Sequence, residues 1–408
     1  MAKKDDCIVG LDVGTKKVCA VVGKVDENNE IEIVGVGTSD SQGLYMGSVV
    51  NLQKTQSSIK EAIRNAEIMS AVDIDSAWVG ISGNHIRSFN SRGVVAISGK
   101  DREISYDDIN RVVEAAKALS VPPDIEIIQF LPQEFIVDNQ AGIRDPLGMT
   151  GIRLEVNVHI ITNLITSTTN LLKCVNEAEI EVKGLVLNSV ASSDATLTED
   201  EKELGVALLD IGAGITDCAI FDRGSLWHTF VLPVGGNHFT NDIAIGLRTP
   251  IPEAEKIKRR WGCPIAISEE DESIEIPKVG GGKPRVLSRR ILCDIIQPRA
   301  EEIFKLVLSE IKKMGLEKSL NTGVVITGGC SLLEGIIEIA EEVFDLPVRR
   351  GTPIGVKGLY ESVNLPEFAT SVGLILYGNS ITKRKEIIKA GIFEKFKEFI
   401  GIKKNKNK

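Results

Sequence analysis

A short polar run between two apolar segments contains the first residues that could bind a ligand or a metal ion. It reads Asp12-Val13-Gly14-Thr15-Lys16. A strand turning back here would place Gly14 at φ > 0 and let phosphate oxygens reach backbone N–H groups. Thr15 and Lys16 would add a hydroxyl and a cation. Asp12 would repel a phosphate, so it is better suited to hold Mg²⁺, directly or through water.

The same pattern returns in the second half of the chain. Residues 204–221 repeat the order of residues 8–23, an apolar strand, D-[IV]-G-[AT] and a second apolar strand, which indicates a duplicated domain. The second copy adds five candidate site residues: Asp210, Gly212, Ala213, Gly214 and Thr216. Two such turns facing each other would clamp a polyphosphate, with Asp12 and Asp210 as the metal-holding carboxylates. The chain has no Walker A sequence.

A pair of glycines, Gly328 and Gly329, lies between a predicted strand and a predicted helix. Glycines at such a turn would let a flat base lie against the backbone. Alone, this turn is more typical of an ordinary strand–helix connection, and a single D-x-G turn is more typical of a hairpin. The nucleotide-site prediction therefore depends on the two matched D-x-G copies.

Around these motifs, apolar strand-like runs alternate with helical stretches, which predicts an α/β fold. The spacing of apolar residues predicts helices over 53–69 and 252–262, and one or two helices after residue 285. A segment of different texture, from about residue 85 to 162, reads as strand, helix and further strands. Ser105 followed by Asp108 is a plausible start for its helix. We expect this segment to be a compact insert with its own core.

The segment 389–404 has the pattern of an amphipathic helix. At 100° per residue, one face carries five large apolar side chains: Ile392, Phe393, Phe396, Phe399 and Ile400. Lys395 flanks that face, and Lys403 and Lys404 follow it. A short helix of this kind suits reversible binding to an anionic membrane surface. The alternatives are a terminal helix docked on the protein's own core and a peptide bound by a partner protein.

Charge and composition narrow the class of protein. The net charge is -9, which does not favour a nucleic-acid partner, although residues 383–408 hold ten Lys or Arg against three Glu. The seven cysteines have no C-x-x-C spacing, so we expect neither a zinc site nor a disulfide framework. The start of the chain lacks an apolar secretory stretch and no apolar run is long enough to span a bilayer. We therefore expect a cytoplasmic protein.

These motifs resemble those of the actin-like ATPase superfamily, which includes actin, MreB, heat-shock chaperones and sugar kinases, and most closely those of the FtsA family of bacterial cell-division proteins. Residues 8–23 and 206–221 resemble the two phosphate motifs, and residues 324–336 resemble the adenosine motif. Residues 185–197 and 365–378 resemble the two connecting helices. Three features resemble this one family: the insert, the segment 277–304 and the amphipathic C-terminal segment.

The resemblance implies two duplicated ribonuclease-H-like α/β domains with ATP and Mg²⁺ in the cleft between them. The expected boundaries are domain I at 1–84, 163–195 and 366–378, the insert at 85–162, domain II at 196–243 and 313–365, a small subdomain at 244–312, a linker at 379–388 and the membrane helix at 389–404. Glu255 and Lys258 match the pair that contacts the adenosine in chaperone relatives.

One departure from the superfamily concerns hydrolysis. Relatives that hydrolyse ATP quickly often carry Glu or Gln in the first connecting helix, where the side chain orients water. Here Asn188 occupies the matching position, and its shorter amide would hold a water less well in line with the terminal phosphate. We count Asn188 with Asp12 and Asp210 as catalytic residues, and we expect tight ATP binding with slow hydrolysis at most.

The resemblance also implies partners. Residues 277–304 resemble the region implicated in binding the tail of the tubulin-like protein FtsZ, and they contain five basic residues: Lys278, Lys283, Arg285, Arg289 and Arg290. On composition alone, such a set is usually a solvated face. The implied role is a self-associating scaffold that tethers FtsZ to the inner face of the cytoplasmic membrane at the division site, alongside other division proteins. The alternatives are a kinase for a small substrate on the same fold and a PilM-like pilus-assembly adaptor.

Overall fold

A computed structural model of the chain describes residues 7–99, 101–119, 121–265, 272–280 and 283–383. Its strands, in chain order, are β1 (Cys7–Val13), β2 (Lys17–Val25), β3 (Ile31–Asp40), β4 (Leu44–Tyr45), β5 (Ser48–Val49), β6 (Ser76–Ile81), β7 (Arg87–Ala96), β8 (Ile125–Val137), β9 (Gln140–Ile143), β10 (Arg153–Leu164), β11 (Glu181–Leu187), β12 (Val206–Ile211), β13 (Thr216–Asp222), β14 (Ser225–Leu232), β15 (Ser273–Ile276), β16 (Arg285–Ser288), β17 (Val324–Thr327), β18 (Val348–Arg350) and β19 (Val356–Gly358).

The helices are α1 (Leu52–Ser70), α2 (Tyr106–Lys117), α3 (Ile165–Asn176), α4 (Asn188–Thr196), α5 (Glu199–Leu204), α6 (Gly236–Leu247), α7 (Ile251–Trp261), α8 (Arg289–Lys313), α9 (Ile336–Phe344), α10 (Tyr360–Val363) and α11 (369–383). Short 3₁₀ turns occupy Glu317–Ser319, Gly329–Leu332 and Pro366–Phe368. In the described part of the chain, no helix combines the length and hydrophobicity needed to cross a bilayer.

Domain I is built on a six-stranded sheet in the order β11-β6-β1-β2-β3-β19. Its central strands are almost continuously apolar because both faces of the sheet are covered. Apolar side chains of α1 and α3, including Ile59 and Leu171, pack on one face, and Val372 and Ile375 of α11 pack on the other with Val21. The first D-x-G motif therefore sits at the end of a central strand whose residues are mostly buried.

Domain II repeats this plan with a five-stranded sheet in the order β14-β13-β12-β17-β18. The antiparallel hairpin β12–β13 corresponds to β1–β2, which confirms the predicted duplication. Helices α6, α7, α8 and α9 pack with it around a second core that includes the fully buried Phe239 and Phe304. A separate hairpin, β15–β16, lies between α7 and α8 in the chain.

The insert forms a four-stranded sheet in the order β7-β10-β8-β9, with α2 packed on one face through Val112 and Ala116. The predicted start of α2 is confirmed, since the Ser105 hydroxyl accepts from the backbone N–H of Asp108 and the Asp108 carboxylate accepts from the backbone N–H of Ser105. The insert thus has its own core, as expected from its sequence.

Two element predictions need correction. Residues 185–187 end strand β11, so the first connecting helix begins only at Asn188. Helix α11 runs on to residue 383, five residues into the segment predicted as a linker. Asn379 in that stretch is buried, and the Ser380 hydroxyl donates to the carbonyl of Tyr377. The other predicted linker residues, 384–388, lie outside the described residues.

The insert also contacts β14 of domain II through polar side chains. Ser88 donates to the carbonyl of Thr229 at 2.7 Å, and Gln133 donates to that of Leu226 at 2.9 Å. At the centre of this contact His159 is fully buried. Its Nδ1 lies 2.7 Å from Asn90 Oδ1 and its Nε2 lies 3.0 Å from Thr229 Oγ1. The insert is continuous in the chain with domain I and therefore links domain I to domain II.

Replacing His159 with Gln should change how stability depends on pH. Burial, helped by the nearby His228, lowers the pKa of His159 to about 3. Below about pH 6.5 this histidine is protonated in the unfolded chain but stays neutral in the folded protein. The free energy of unfolding therefore decreases as the pH falls. Between pH 7 and pH 5 the wild-type protein should lose about 2 kcal/mol from this group. Urea unfolding at both pH values should show that the variant lacks this loss; equal losses would contradict the prediction.

Candidate functional site

The two D-x-G hairpins have the same backbone hydrogen bond. Gly14 N–H donates to the carbonyl of Lys17 at 3.0 Å, and Gly212 N–H donates to that of Ile215 at 3.0 Å. Each bond closes a turn between paired strand ends, Val13 with Val18 in the first copy and Ile211 with Thr216 in the second. The same hydrogen-bonded turn thus occurs twice, once in each domain.

The reason for glycine at these turns differs from the prediction. Gly14 does not have the left-handed φ that we expected. A Cβ at Gly14 would instead lie 2.9 Å from the carbonyl oxygen of Lys17, so the turn needs glycine for space. A Cβ at Gly214 would lie 2.9 Å from Thr15 Oγ1. The two turns therefore meet across a single cleft.

Most of the predicted nucleotide-site residues line this cleft together: Asp12, Gly14, Thr15, Lys16, Asn188, Asp210, Gly212, Ala213, Gly214, Lys258, Gly328 and Gly329. Two do not. Thr216 is fully buried and its hydroxyl donates to the carbonyl of Val234 at 2.8 Å. Glu255 lies behind Lys258 and holds it in place. Side chains alternate along a strand, so Thr216 points away from the cleft while its neighbour Asp217 lines it.

The two predicted metal-holding carboxylates have different surroundings. Asp210 is buried, and its Oδ2 accepts from Ser192 at 2.6 Å and from Thr370 at 3.0 Å. In contrast, the buried Oδ1 of Asp12 has no hydrogen-bond partner among the described residues. Burial, followed by repulsion from Asp210, raises the pKa of Asp12 to about 7, although Lys17 opposes the shift. Asp12 therefore carries a buried oxygen that no described donor satisfies, whereas the Asp210 carboxylate is already hydrogen-bonded.

A third carboxylate, Asp217, was missed from the sequence. It accepts a short hydrogen bond from the Ser82 hydroxyl, which follows β6 of domain I. Burial and the nearby Asp210 raise its pKa well above the usual range. An acidic residue within the apolar strand 216–221 was the signal that could have revealed it, since a buried carboxylate needs a specific reason.

The arrangement fits a magnesium–phosphate ligand. Among the described residues, no group of three or more side chains forms a metal cage. Mg²⁺ does not need one, because it keeps several waters and binds one or two carboxylates together with phosphate oxygens. The unpartnered Oδ1 of Asp12 and the oriented carboxylate of Asp210 provide that number of ligands. A cation here would also offset the repulsion that raises the pKa of Asp12.

Lys258 on α7 is held by three acceptors. Its ammonium group donates to the carbonyl of Gly236 at 3.0 Å and to Thr240 Oγ1 at 2.9 Å, and it pairs with Glu255 at 2.7 Å. Burial would raise the pKa of Glu255, but the pairing with Lys258 lowers it overall. Because an ammonium group has three protons, the Lys258 position at the cleft wall is fixed by the protein itself.

The two glycines after β17 have different roles. Gly328 has φ of 82°, and a Cβ there would meet the carbonyl of Ile211 at 2.7 Å, so close packing and backbone conformation both demand glycine. Gly329 has open space beside it, on the cleft side. The chain then continues as the 3₁₀ turn Gly329–Leu332, and the predicted helix begins only at Ile336. Gly329 is thus the residue that leaves room for a flat ligand.

A second missed residue, Lys17, ties the first hairpin to the start of α11. Its ammonium group donates to the backbone carbonyl of Glu367 at 3.1 Å, pairs with the Glu367 carboxylate at 3.3 Å and lies 3.8 Å from the centre of the Phe368 ring. The adjacent Lys16 is exposed at the cleft. Lys16 is therefore available to a ligand, whereas Lys17 is already engaged.

Asn188 is the first residue of α4 and lines the cleft. Its amide oxygen is buried and has no hydrogen-bond partner among the described residues. A buried acceptor without a donor is unfavourable by about 1–3 kcal/mol. A water or a ligand hydroxyl in the cleft would satisfy it.

The five predicted partner-binding residues divide into two groups. Lys278, Lys283 and Arg290 are exposed. Arg285 donates to the carbonyl of Leu247, and Arg289 pairs with Glu272 and Glu334. Arg289 is less available than the three exposed cations, because two carboxylates and the carbonyl of Trp261 already engage its guanidinium. The predicted membrane-binding residues in 389–404 lie outside the described residues.

Two matched α/β domains, facing turns and a shared cleft define a protein of the actin-like fold. Solved structures agree. The PilM–PilN type IV pilus biogenesis complex matches with a TM-score of 0.67 at 19% identity, covering 91% of this chain and 98% of that one. MreB5 of Spiroplasma citri bound to ADP matches with a TM-score of 0.56 at 15% identity, covering 96% and 99%. At these identities the likeness shows the fold alone.

Sequence comparisons then give the family. The profile described as cell division protein FtsA matches residues 207–373, and that of the SHS2 domain inserted in FtsA matches residues 83–162. Cell division protein FtsA of Pseudomonas aeruginosa is 49% identical over 91% of this chain and 89% of its own length. The FtsA of Bacillus subtilis is 39% identical over 91% and 83%. The chain belongs to the FtsA family of cell-division proteins.

Proposed function

We propose that this cell-division protein binds ATP with Mg²⁺ in the cleft and uses the bound nucleotide to control its self-association at the membrane. The observation that supports the nucleotide most directly is the unpartnered Oδ1 of Asp12 beside two identical turns. Backbone N–H groups of the turns would bind phosphate oxygens, and Asp12 and Asp210 would hold the cation. Bound Mg²⁺ would neutralise phosphate charge.

The base would lie beside Gly329, against the part of the cleft wall that Lys258 forms. Gly329 leaves open space on this side of the cleft. Lys258 is held in place by its three acceptors, so a nucleoside would meet a wall that is already ordered. A preordered site loses less conformational entropy when a ligand binds.

We further propose that hydrolysis is slow. A water near the outermost phosphate would be positioned by Asn188, whose amide oxygen awaits a donor. The carboxylate best placed to accept a proton is Asp217, but it is engaged by Ser82 and its pKa is raised by burial and by Asp210. The Ser82 hydroxyl competes with water for this carboxylate, which weakens Asp217 as a general base. Both features favour a nucleotide switch over a rapid ATPase.

The tethering role combines two further segments. The exposed cations Lys278, Lys283 and Arg290 would receive the tail of FtsZ, and the segment 389–404 would lie in an anionic membrane surface on the cytoplasmic side of a bacterial cell membrane. Nucleotide in the cleft would favour self-association, so that many weak tail contacts act together on one surface.

Liposome co-sedimentation tests this proposal. The full chain should pellet with anionic liposomes, should pellet more in Mg²⁺-ATP than in ADP, and should recruit an FtsZ tail peptide. A chain ending at Lys383 retains all of α11 and should remain in the supernatant while still binding ATP in calorimetry. Pelleting of this shortened chain by lipid alone would show that 389–404 is not the membrane-binding segment. If neither chain binds ATP, the proposed nucleotide switch is wrong.

A further inference from the structure

A small hairpin, β4–β5, leans into the cleft from domain I. Its two-residue tip is Met46 and Gly47, with φ of 47° and 77°, the signs that a type I′ turn requires. Such turns favour Asn, Asp or Gly at both positions. Methionine at positive φ is unfavourable by about 1–2 kcal/mol. Met46 thus adopts a costly conformation at the edge of the predicted phosphate site, where strain often accompanies function.

The tip contacts both phosphate turns. Gly47 N–H donates to Thr15 Oγ1 at 3.3 Å. A Cβ at Gly47 would lie 2.5 Å from the carbonyl oxygen of Ser82, and a Cβ at Gly214 would lie 3.3 Å from Met46 Cα. The hairpin therefore fills the space between Thr15 of domain I and Gly214 of domain II, and Gly47 itself lines the cleft.

The base of the hairpin is held by main-chain hydrogen bonds, while its tip is held by single contacts with each domain. The carbonyl of Gly43 accepts from the N–H groups of Val50 at 2.8 Å and Asn51 at 3.1 Å, and Asn51 also caps α1. On the β5 side, the Ser48 hydroxyl lies 3.2 Å from Nδ1 of His85. Tyr45, the last residue of β4 before the tip, is 63% exposed. We call this hairpin, with its fixed base, strained tip and exposed Tyr45, the flap.

The flap lines a different depression from the one beside the predicted base. Tyr45 and Met46 share a depression with Gly214 and Asn237, whereas Gly329 and Lys258 share another with Arg259 and Arg260. The two depressions have no lining residue in common. A nucleotide with its base at Gly329 would thus present its outermost phosphate to Gly47.

We propose that β4–β5 is a lid for the terminal phosphate, closing over a nucleoside triphosphate and remaining loose over a diphosphate. This inference rests on the proposed ATP binding. Gly47 N–H occupies an acceptor lone pair of the Thr15 hydroxyl, which directs the single hydroxyl proton of Thr15 toward the phosphate. The lid contacts domain II at Gly214, so its closure also joins the two domains. The terminal phosphate thereby becomes the group that the protein senses.

Replacing Gly47 with Ala tests the lid. The new methyl group would meet the Ser82 carbonyl at a positive φ, so the closed position would be lost. We expect the dissociation constant for Mg²⁺-ATP to rise about ten-fold, equivalent to about 1.4 kcal/mol, with that for Mg²⁺-ADP within two-fold of wild type. The matched control is Gly142→Ala, which has φ of 79° in the β8–β9 turn and nothing within 4 Å of its Cβ. It should change neither constant.

Hydrogen exchange gives a second readout on the wild-type chain. Amides of residues 47–50 should exchange more slowly in Mg²⁺-ATP than in Mg²⁺-ADP, while those of β1 and β12 respond to both nucleotides alike. Equal protection of 47–50 by the two nucleotides, or equal loss of ATP and ADP affinity in Gly47→Ala, would overturn the lid with ATP binding intact. If the wild-type chain binds neither nucleotide, the proposed function and the lid fail together.

Discussion

Replacing Asp12 with Asn should make the ligand-free protein more stable at neutral pH while removing its response to Mg²⁺-ATP. Burial and Asp210 raise the pKa of Asp12 to about 7 in the folded state, against an ordinary value of 3.8. Between these two values the folded chain holds a proton that the unfolded chain has released, so stability falls as the pH rises. Asparagine does not titrate, so the variant should avoid that loss, which amounts to about 2–4 kcal/mol by pH 8.

The same substitution removes a negative charge from the predicted magnesium site. In the wild type, Mg²⁺-ATP should raise the melting temperature because the ligand binds the folded state alone. In Asp12→Asn this rise should fall to the value seen for ATP with a chelator. Thermal melts from pH 4 to pH 8, each with and without Mg²⁺-ATP, provide the measurement.

A control variant, Asp107→Asn, removes one carboxylate from an exposed position on α2. It should leave both the pH profile and the response to Mg²⁺-ATP as in the wild type. An Asp12→Asn protein that is less stable than wild type at pH 8 would show that the buried charge is satisfied in a way the geometry does not show. An Asp12→Asn protein that keeps the full response to Mg²⁺-ATP would show that Asp12 does not hold the metal.

Replacing Gly373 with Ala should separate the two connecting helices. A Cβ at Gly373 of α11 would overlap the backbone carbonyl of Ala191 on α4, and a backbone carbonyl within a helix cannot rotate aside. Overpacking of a rigid contact is unfavourable by about 1–3 kcal/mol or more. The substitution should therefore lower the free energy of unfolding by about 3 kcal/mol.

The same separation should weaken nucleotide binding from a distance. Ser192 on α4 and Thr370 on α11 both donate to Asp210, so moving the helices apart withdraws at least one donor. Urea unfolding and calorimetry with Mg²⁺-ATP measure the two effects. Thr382→Ala, at an exposed position near the end of α11, is the control and should change neither. A Gly373→Ala protein within about 1 kcal/mol of wild type would mean that the helices have room to adjust.

The parts of the site that sequence predicted are those with a local signature. A D-x-G turn between apolar strands is defined by neighbouring residues, and its repetition reveals the duplication without any knowledge of tertiary contacts. Asp12, Asp210 and Gly329 were therefore found. The side of the cleft toward which each strand residue points is not a local property, since alternation tells which residues share a face but not what that face meets. Thr216 was for this reason predicted to line the cleft, whereas the structure places its neighbour Asp217 there.

Other errors arose from partners distant in the chain. The ion pairing of Arg289 could not be predicted, because Glu334, which pairs with it, lies in another element. Lys17 could not be separated from Lys16 without the Glu367 contact. The β4–β5 hairpin was missed because strands of two residues carry no detectable alternation, and a methionine in its turn contradicts the usual turn chemistry.

The bridge between the insert and domain II has a consequence for assembly. Strand β14 is at the end of its sheet, a position where unpaired carbonyl groups invite a strand from another molecule. Here the carbonyls of Leu226, Trp227 and Thr229 already accept from side chains of the insert. This border is thus closed to β-augmentation. Copies of this chain that associate through domain II must meet through side-chain surfaces or through another border of the sheet.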